Sequence, residues 1–432
     1  MVRRLLRYLG FAGMMAASLT VWGANPAAST SYTAGERAAI KRHVASGSHP
    51  LPDPTDRVAD SRRAASLGQY LFFDRRLSAN GKFSCASCHQ PQRAFTDGRR
   101  VGRALGVDPR NTPTVINAVD GHWFFWDGRA DSLWSQALYV MEDPRELGSD
   151  RAHIAHVVAS HARLRQAYKQ VFGALPPLHD GQRFPAHASP HSPKDSERAR
   201  AWQRMSEADH KAVNRVFSNV GKALEAYQRR LMSRGSPFDR YAKALLAGKP
   251  DANELMSPAA RRGLKLFVGR ARCDLCHSGK DFSDGQFHNI GLPRLAGEPL
   301  DTGREAGIRK LLHNPFNAGG AYSDRPKGHA GQRLQFLPSP ESMRGAFKTP
   351  TLRNVARSAP YFHDGRFSTL QQVVSFYAQG AGNADRVVGK RERTLDLIPH
   401  LTKAQIHDLV AFLNTLNSAP FPASLTKPPA RP

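Results

Sequence analysis

Two five-residue stretches hold all four cysteines of the chain: Cys85-Ala86-Ser87-Cys88-His89 and Cys273-Asp274-Leu275-Cys276-His277. In each, two thiols three positions apart are followed directly by an imidazole. That spacing suits covalent haem attachment, because two thiols add to the two vinyl groups and the adjacent histidine reaches the iron. Other chemistries use the same residue types. Zinc accepts thiolate and imidazole but needs a fourth ligand at each motif. Disulfides or dithiol redox pairs are the remaining alternatives for four cysteines. Two copies of C-x-x-C-H in one chain favour two covalently bound c-type haems.

The surroundings of the motifs repeat. Leu67-Gly68-Gln69-Tyr70-Leu71-Phe72 precedes the first and Gly263-Leu264-Lys265-Leu266-Phe267 precedes the second. Farther on, Thr112-Pro113-Thr114 leads to Phe125-Trp126-Asp127-Gly128-Arg129 and Leu133. Thr349-Pro350-Thr351 leads to Phe362-His363-Asp364-Gly365-Arg366 and Leu370 at identical spacing, so Trp126 and His363 stand at equivalent places. A duplication accounts for this. Helical patterns supply the scaffold: Ser61 to Phe73, a three- and four-residue stripe from Val213 to Leu231, and a helix begun by Ser257-Pro258. Strand signals are scarce. The expected fold is mainly α, with two duplicated cytochrome c-like haem domains and long loops.

The chain opens with a basic segment, an apolar run from Phe11 to Trp22, and small residues at Ala24, Ala27 and Ala28. This reads as a signal peptide over 1–28, with a periplasmic mature protein and no stable membrane insertion after cleavage. An N-terminal haem domain is expected over 29–250, with a Pro- and His-rich surface insertion near 176–205. A C-terminal haem domain over 251–425 and a short tail over 426–432 follow. The net charge of +26 favours an acidic partner, while no nucleic-acid-binding motif is present.

Residues 60–150 and 255–420 together resemble the bacterial di-haem cytochrome c peroxidase family, and within it the MauG-like branch. The resemblance rests on Leu71-Phe72-Phe73-Asp74 with Ser84 to His89, Arg110 to Thr114, Phe125 to Arg129, Phe347 to Val355 and Ala359 to Gly365. It implies an N-terminal haem that reacts with hydrogen peroxide and a C-terminal haem that relays electrons. It further implies catalytic roles for Glu146 as proton shuttle, Gln136 as hydrogen-bond donor to the bound oxygen species, and Trp126 as relay between haems. A calcium ion held by Asn111, Ser358 and Pro360 is implied as well. Read on its own, Glu146 is a loop carboxylate and Trp126 a packing aromatic.

Two departures sharpen the resemblance. The loop Val101 to Pro109 holds no His or Met, where many members carry a His that blocks the first iron. Position 377, fourteen residues after His363, is Tyr and not Met. Tyr377 is then the expected second ligand of the second iron beside His277, with His89 serving the first. Tyrosine oxygen is harder than thioether sulfur and lowers the potential. The implied function is peroxide-dependent oxidation of an electron donor or protein substrate. A di-haem electron-transfer cytochrome without catalysis is the alternative.

Overall fold

A computed structural model describes residues 30–44, 50–193, 196–382 and 387–432. The expected signal peptide lies outside them. Nine helices organise the two sites: α1 (Ala34–His43), α2 (Arg62–Phe73), α3 (Leu133–Glu142), α4 (Glu207–Gln228), α5 (Pro237–Leu246), α6 (Pro258–Val268), α7 (Arg304–His313), α8 (Leu370–Ala378) and α9 (Lys403–Asn414). A two-stranded antiparallel ladder, β1 (Phe287–His288) with β2 (Phe347–Lys348), is the sheet formed among the described residues. The fold is mainly α, as the scarcity of strand patterns implies. No helix among the described residues is long and apolar enough to cross a membrane.

The duplication is visible in how helices cross. Ser61 caps α2 by accepting from the Ala64 amide, and Ser257 caps α6 by accepting from the Ala260 amide, with Pro258 in its first turn. Each helix then meets a later one at a glycine. A Cβ on Gly68 of α2 would lie 1.7 Å from the Ala223 carbonyl oxygen of α4. One on Gly263 of α6 would lie 1.9 Å from the Asp408 carbonyl oxygen of α9. Backbone meets backbone, so neither neighbour can swing aside. Gly263→Ala is therefore expected to destabilise the holoprotein by about 1–3 kcal/mol, the usual cost of overpacking, read as a lowered thermal midpoint.

Two apolar clusters form. The first joins Leu67, Leu71 and Phe72 of α2 to Trp134 and Leu138 of α3 and Phe217, Leu224 and Tyr227 of α4. The second joins Leu264 and Phe267 of α6 to Leu409 and Phe412 of α9. The chain ends cross over. Ala39 and Ile40 of α1 and Phe238, Tyr241 and Ala242 of α5 are buried in the second cluster. Phe421 and Leu425, near the C-terminus, pack on the first. Tyr227 Oη donates to the Leu425 carbonyl at 2.6 Å, and Gln69 Nε2 to the Ser424 and Lys427 carbonyls at 2.7 Å.

The boundary expected near residue 250 therefore does not separate the two cores. An amphipathic stripe says which face is buried and is silent on which partner buries it. The stretch 176–205 also differs from a surface insertion. Its Leu178, Phe184 and Ala188 are buried in the first cluster, and the Phe184 and Pro185 carbonyls lie within 3.2 Å of His156 Nε2.

Candidate active site

Each cysteine motif forms a single tight turn, Cys85–Cys88 and Cys273–Leu275. The histidine that follows is fixed the same way in both. His89 Nδ1 lies 3.1 Å from the Phe95 carbonyl oxygen and His277 Nδ1 lies 2.9 Å from the Phe282 carbonyl oxygen. A carbonyl only accepts, so Nδ1 carries the proton and Nε2 keeps its lone pair for a metal. Burial lowers the pKa of both imidazoles, which keeps them neutral. Phe95 and Phe282 are themselves fully buried and left-handed, with φ of 56° and 53°. Such backbone costs free energy and persists where the surroundings enforce it.

No disulfide joins the four cysteines. Burial pushes Cys85, Cys88 and Cys273 up to about 12, far from the thiolate that dithiol exchange requires. Among the described residues, neither C-x-x-C-H motif gathers its three ligand atoms around one point. The one such trio is Cys276, Asp284 and His288, and His288 is already engaged by Asp284 at 2.8 Å and Glu392 at 3.1 Å. The Asp284 hydrogen bond foremost raises the His288 pKa to about 11, and both ring nitrogens face carboxylates.

Both motifs open on one cavity of about 560 Å³ that runs between the halves. Its walls carry the imidazoles of His89 and His277, the sulfurs of Cys88, Cys273 and Cys276, and a lining of aromatic and aliphatic side chains, which suits two flat apolar macrocycles. The charge also fits. Lys348 lines the cavity without an acidic partner among the described residues, and burial pushes its ammonium down to about 8. Haem brings carboxylates that such a cation can meet. The residues present fit the group.

Glu146 and Gln136 line this cavity with Cys88 and His89. Gln136 comes from α3, and Glu146 from the turn after it, where its amide donates to the Asp143 carbonyl at 3.0 Å. Burial pushes Glu146 up to about 7, with Asp108 and Asp143 adding and Arg129 opposing. A carboxyl with this pKa holds or releases a proton readily at neutral pH. The loop residues Gly102, Arg103, Ala104 and Asp108 face the same space. His122 lines the cavity too but is exposed.

Trp126 sits where the halves join. Its Nε1 donates to the Asn111 carbonyl at 2.9 Å, and its own carbonyl accepts from the Lys348 amide at 2.8 Å. The Asn111 amide in turn donates to the His363 carbonyl at 2.7 Å. His363 meets Trp126 edge-on at 6.5 Å and stacks on Phe347 at 3.5 Å. Burial lowers His363 to about 4, so this neighbour is neutral. Behind the indole, Arg110 bridges Asp127 at 2.7 Å and Asp301 at 2.8 Å, one carboxylate from each half.

Tyr377, on α8, lines the second end of the cavity with Val373 and Val374, and burial raises its phenol pKa. The cysteines of the second motif add to that rise. Met343, a methionine of the same half, does not line the cavity. Asn111, Ser358 and Pro360 are among the lining residues, and Asn111 Nδ2 donates to the Arg99 carbonyl at 2.9 Å.

Comparison with known proteins decides the family. The family model described as di-haem cytochrome c peroxidase matches residues 62–245. The chain is 31% identical over 385 residues to the methylamine utilization protein MauG of Methylorubrum extorquens, covering 88% of this chain and 83% of that one. It is 33% identical over 377 residues to cytochrome-c peroxidase IdrP1 of Denitromonas iodatirespirans, covering 85% of each. The chain belongs to the di-haem cytochrome c peroxidase family. Among solved structures, a MauG-like protein associated with microbial copper homeostasis superposes with a TM-score of 0.60 at 27% identity, covering 89% of this chain and 99% of that one. The diheme peroxidase BthA of Burkholderia thailandensis gives 0.58 at 25%, covering 88% and 91%.

This di-haem peroxidase is a peroxide-dependent oxidoreductase that binds two c-type haems. Its cavity collects Cys88, His89, Cys273, Cys276 and His277 with Gln136, Glu146, Trp126 and Tyr377. Sequence reasoning passed over Lys348 and His288 as charges. Lys348 lies inside the Phe347 to Val355 motif and His288 outside every motif, and nothing in spacing says that one is buried without a counter-ion or that the other is clamped by two carboxylates.

Proposed function

We propose that this enzyme reduces hydrogen peroxide beside Cys85–His89 and draws the oxidising equivalents through Trp126 to the site beside Cys273–His277. There an electron donor or a protein substrate is oxidised. The observation that carries the reading is Glu146, a buried carboxyl poised at about 7 on the wall beside the first motif. Bound haem supplies the irons that take electrons from the donor and pass them to peroxide. Glu146 takes a proton from one peroxide oxygen and returns it to the other, which departs as water. With two electrons and two further protons, each peroxide yields two waters. The Gln136 amide orients the oxygen that stays. Trp126, held by backbone from both halves, offers an indole between the two ends. At the far end, His277 and Tyr377 would hold the second haem.

Asn111, Ser358 and Pro360 hold a calcium ion through oxygen donors, the ligand type this cation selects. The mature protein is periplasmic after loss of residues 1–28, where haem attachment takes place. Its reducing partner is acidic. A chain of net charge +26 attracts such a partner at long range, an effect that salt screens.

A single equivalent of peroxide added to the purified holoprotein tests the reading. The visible spectrum is expected to change at once and return when donor is supplied. A spectrum indifferent to peroxide identifies an electron-transfer cytochrome instead.

A further inference from the structure

Trp123 and Trp126 stand three residues apart and both line the cavity, yet their electrostatic settings are opposite. The Arg304 guanidinium lies over the Trp123 ring at 4.5 Å, and that of Arg333 lies over it at 5.5 Å. Neither arginine forms an ion pair with a carboxylate among the described residues. Arg304 is 2% exposed and donates only to the Asp127 and Gly128 carbonyls. Arg333 keeps a buried Nε without a hydrogen-bond partner. The Arg304 guanidinium also lies over the Phe287 ring at 4.1 Å, and Asp127 and Asp131 act on it through space, yet no direct ion pair neutralises either charge beside the indole. Trp126 has no cation over its ring among the described residues. Its Nε1 donates to a carbonyl oxygen, an acceptor that stabilises positive charge on the indole.

An indole that gives up an electron becomes a cation. Beside two guanidinium groups that cation is repelled, and the repulsion is strong where water is excluded. The face that draws a cation towards a neutral ring resists oxidation once the cation is seated. Trp123 adjoins exposed His122, so an oxidising equivalent that reached it would stand one residue from solvent.

We infer that Arg304 and Arg333 protect Trp123 from one-electron oxidation and so confine the oxidising equivalent to Trp126. The inference rests on the reading of Trp126 as relay for its purpose. The protection itself does not depend on that reading, and the two are tested apart. Arg304 and Arg333 are positioning residues here, acting through the indole they cover.

The experiment exposes donor-free ferric holoprotein to photo-generated sulfate radical, without peroxide. Two sulfate radicals take two electrons from an indole and become sulfate. Water supplies one oxygen atom to the ring, and two protons are released. Fragment-ion mass spectrometry then measures oxygen addition at Trp123 against Trp126 in the same sample. In the wild type, addition at Trp126 is expected to exceed that at Trp123. Arg333→Met, which keeps bulk and removes charge, is expected to raise the Trp123 share at least threefold. Arg333→Lys restores charge and is expected to return the share to the wild-type value.

An unchanged share in Arg333→Met overturns the inference. So does an equal rise in Arg333→Lys, which would assign the effect to uncovering the ring. Repeating the measurement with peroxide as oxidant separates the two readings. A protected Trp123 under sulfate radical, with no oxidation at Trp126 under peroxide, leaves the inference standing and removes the relay.

Discussion

Glu146→Gln slows the reaction of the ferric holoprotein with hydrogen peroxide by about 100- to 10,000-fold, the range that a positioned general acid–base supplies. The substitution keeps size and the capacity to hydrogen-bond while removing the proton that moves. The resting spectrum is expected to stay close to that of the wild type, since Glu146 belongs to the wall and not to the metal ligands. The pH profile gives an independent check. Burial raises the pKa of Glu146 from 4.5 to about 7, so the base form that accepts a proton from peroxide accumulates as pH rises through 7. The wild-type rate constant for peroxide is expected to climb across that window and the variant's to lose the inflection. Stopped-flow measurement between pH 5.5 and 8.5 reads both effects, and a variant that reacts at the wild-type rate removes Glu146 from the mechanism.

Tyr377→Met moves the reduction potential of the second haem upward by on the order of 100 mV or more. Axial ligands set haem potentials across a span of about 0.8 V, and an anionic oxygen stabilises oxidised iron where a thioether favours the reduced form. Position 377 lies on α8 at the second end of the cavity, flanked by Phe362 and Phe376, so an unbranched thioether can replace the phenol without crowding. Spectroelectrochemical titration is expected to show one potential shifted and the first haem's potential nearly unchanged. Two unmoved potentials return Tyr377 to the role of a packing aromatic.

Much of this was legible in the chain. C-x-x-C-H fixes the thiols and imidazole locally, so Cys85–His89 and Cys273–His277 need no tertiary knowledge. The internal repeat anticipates paired geometry, and the pairing goes further than the letters show. Phe125 and Phe362 share φ near 65–69°, and the Phe124–Ala130 bridge matches the Tyr361–Phe367 bridge. Positions carried by register from a family motif, Gln136, Glu146 and Tyr377, come to the common cavity.

Legibility ends where partners are remote in sequence. Nothing local to α1 says that it packs against α5 and α6, with Ala39 and Ile40 buried in the second cluster. Leu178, Phe184 and Ala188 lie among prolines and histidines whose polarity masks the apolar spacing. The arginines over Trp123 come from positions 304 and 333, and no local pattern joins them to it.

The crossed ends bear on how each core is completed. The core around the first motif takes Phe421 and Leu425 from some three hundred residues farther along the chain. The opening helix, in turn, waits through some two hundred residues for α6. Neither core is closed by its own half alone, so removing the segment that carries Phe421 and Leu425 uncovers the first cluster although every residue of its motif is kept.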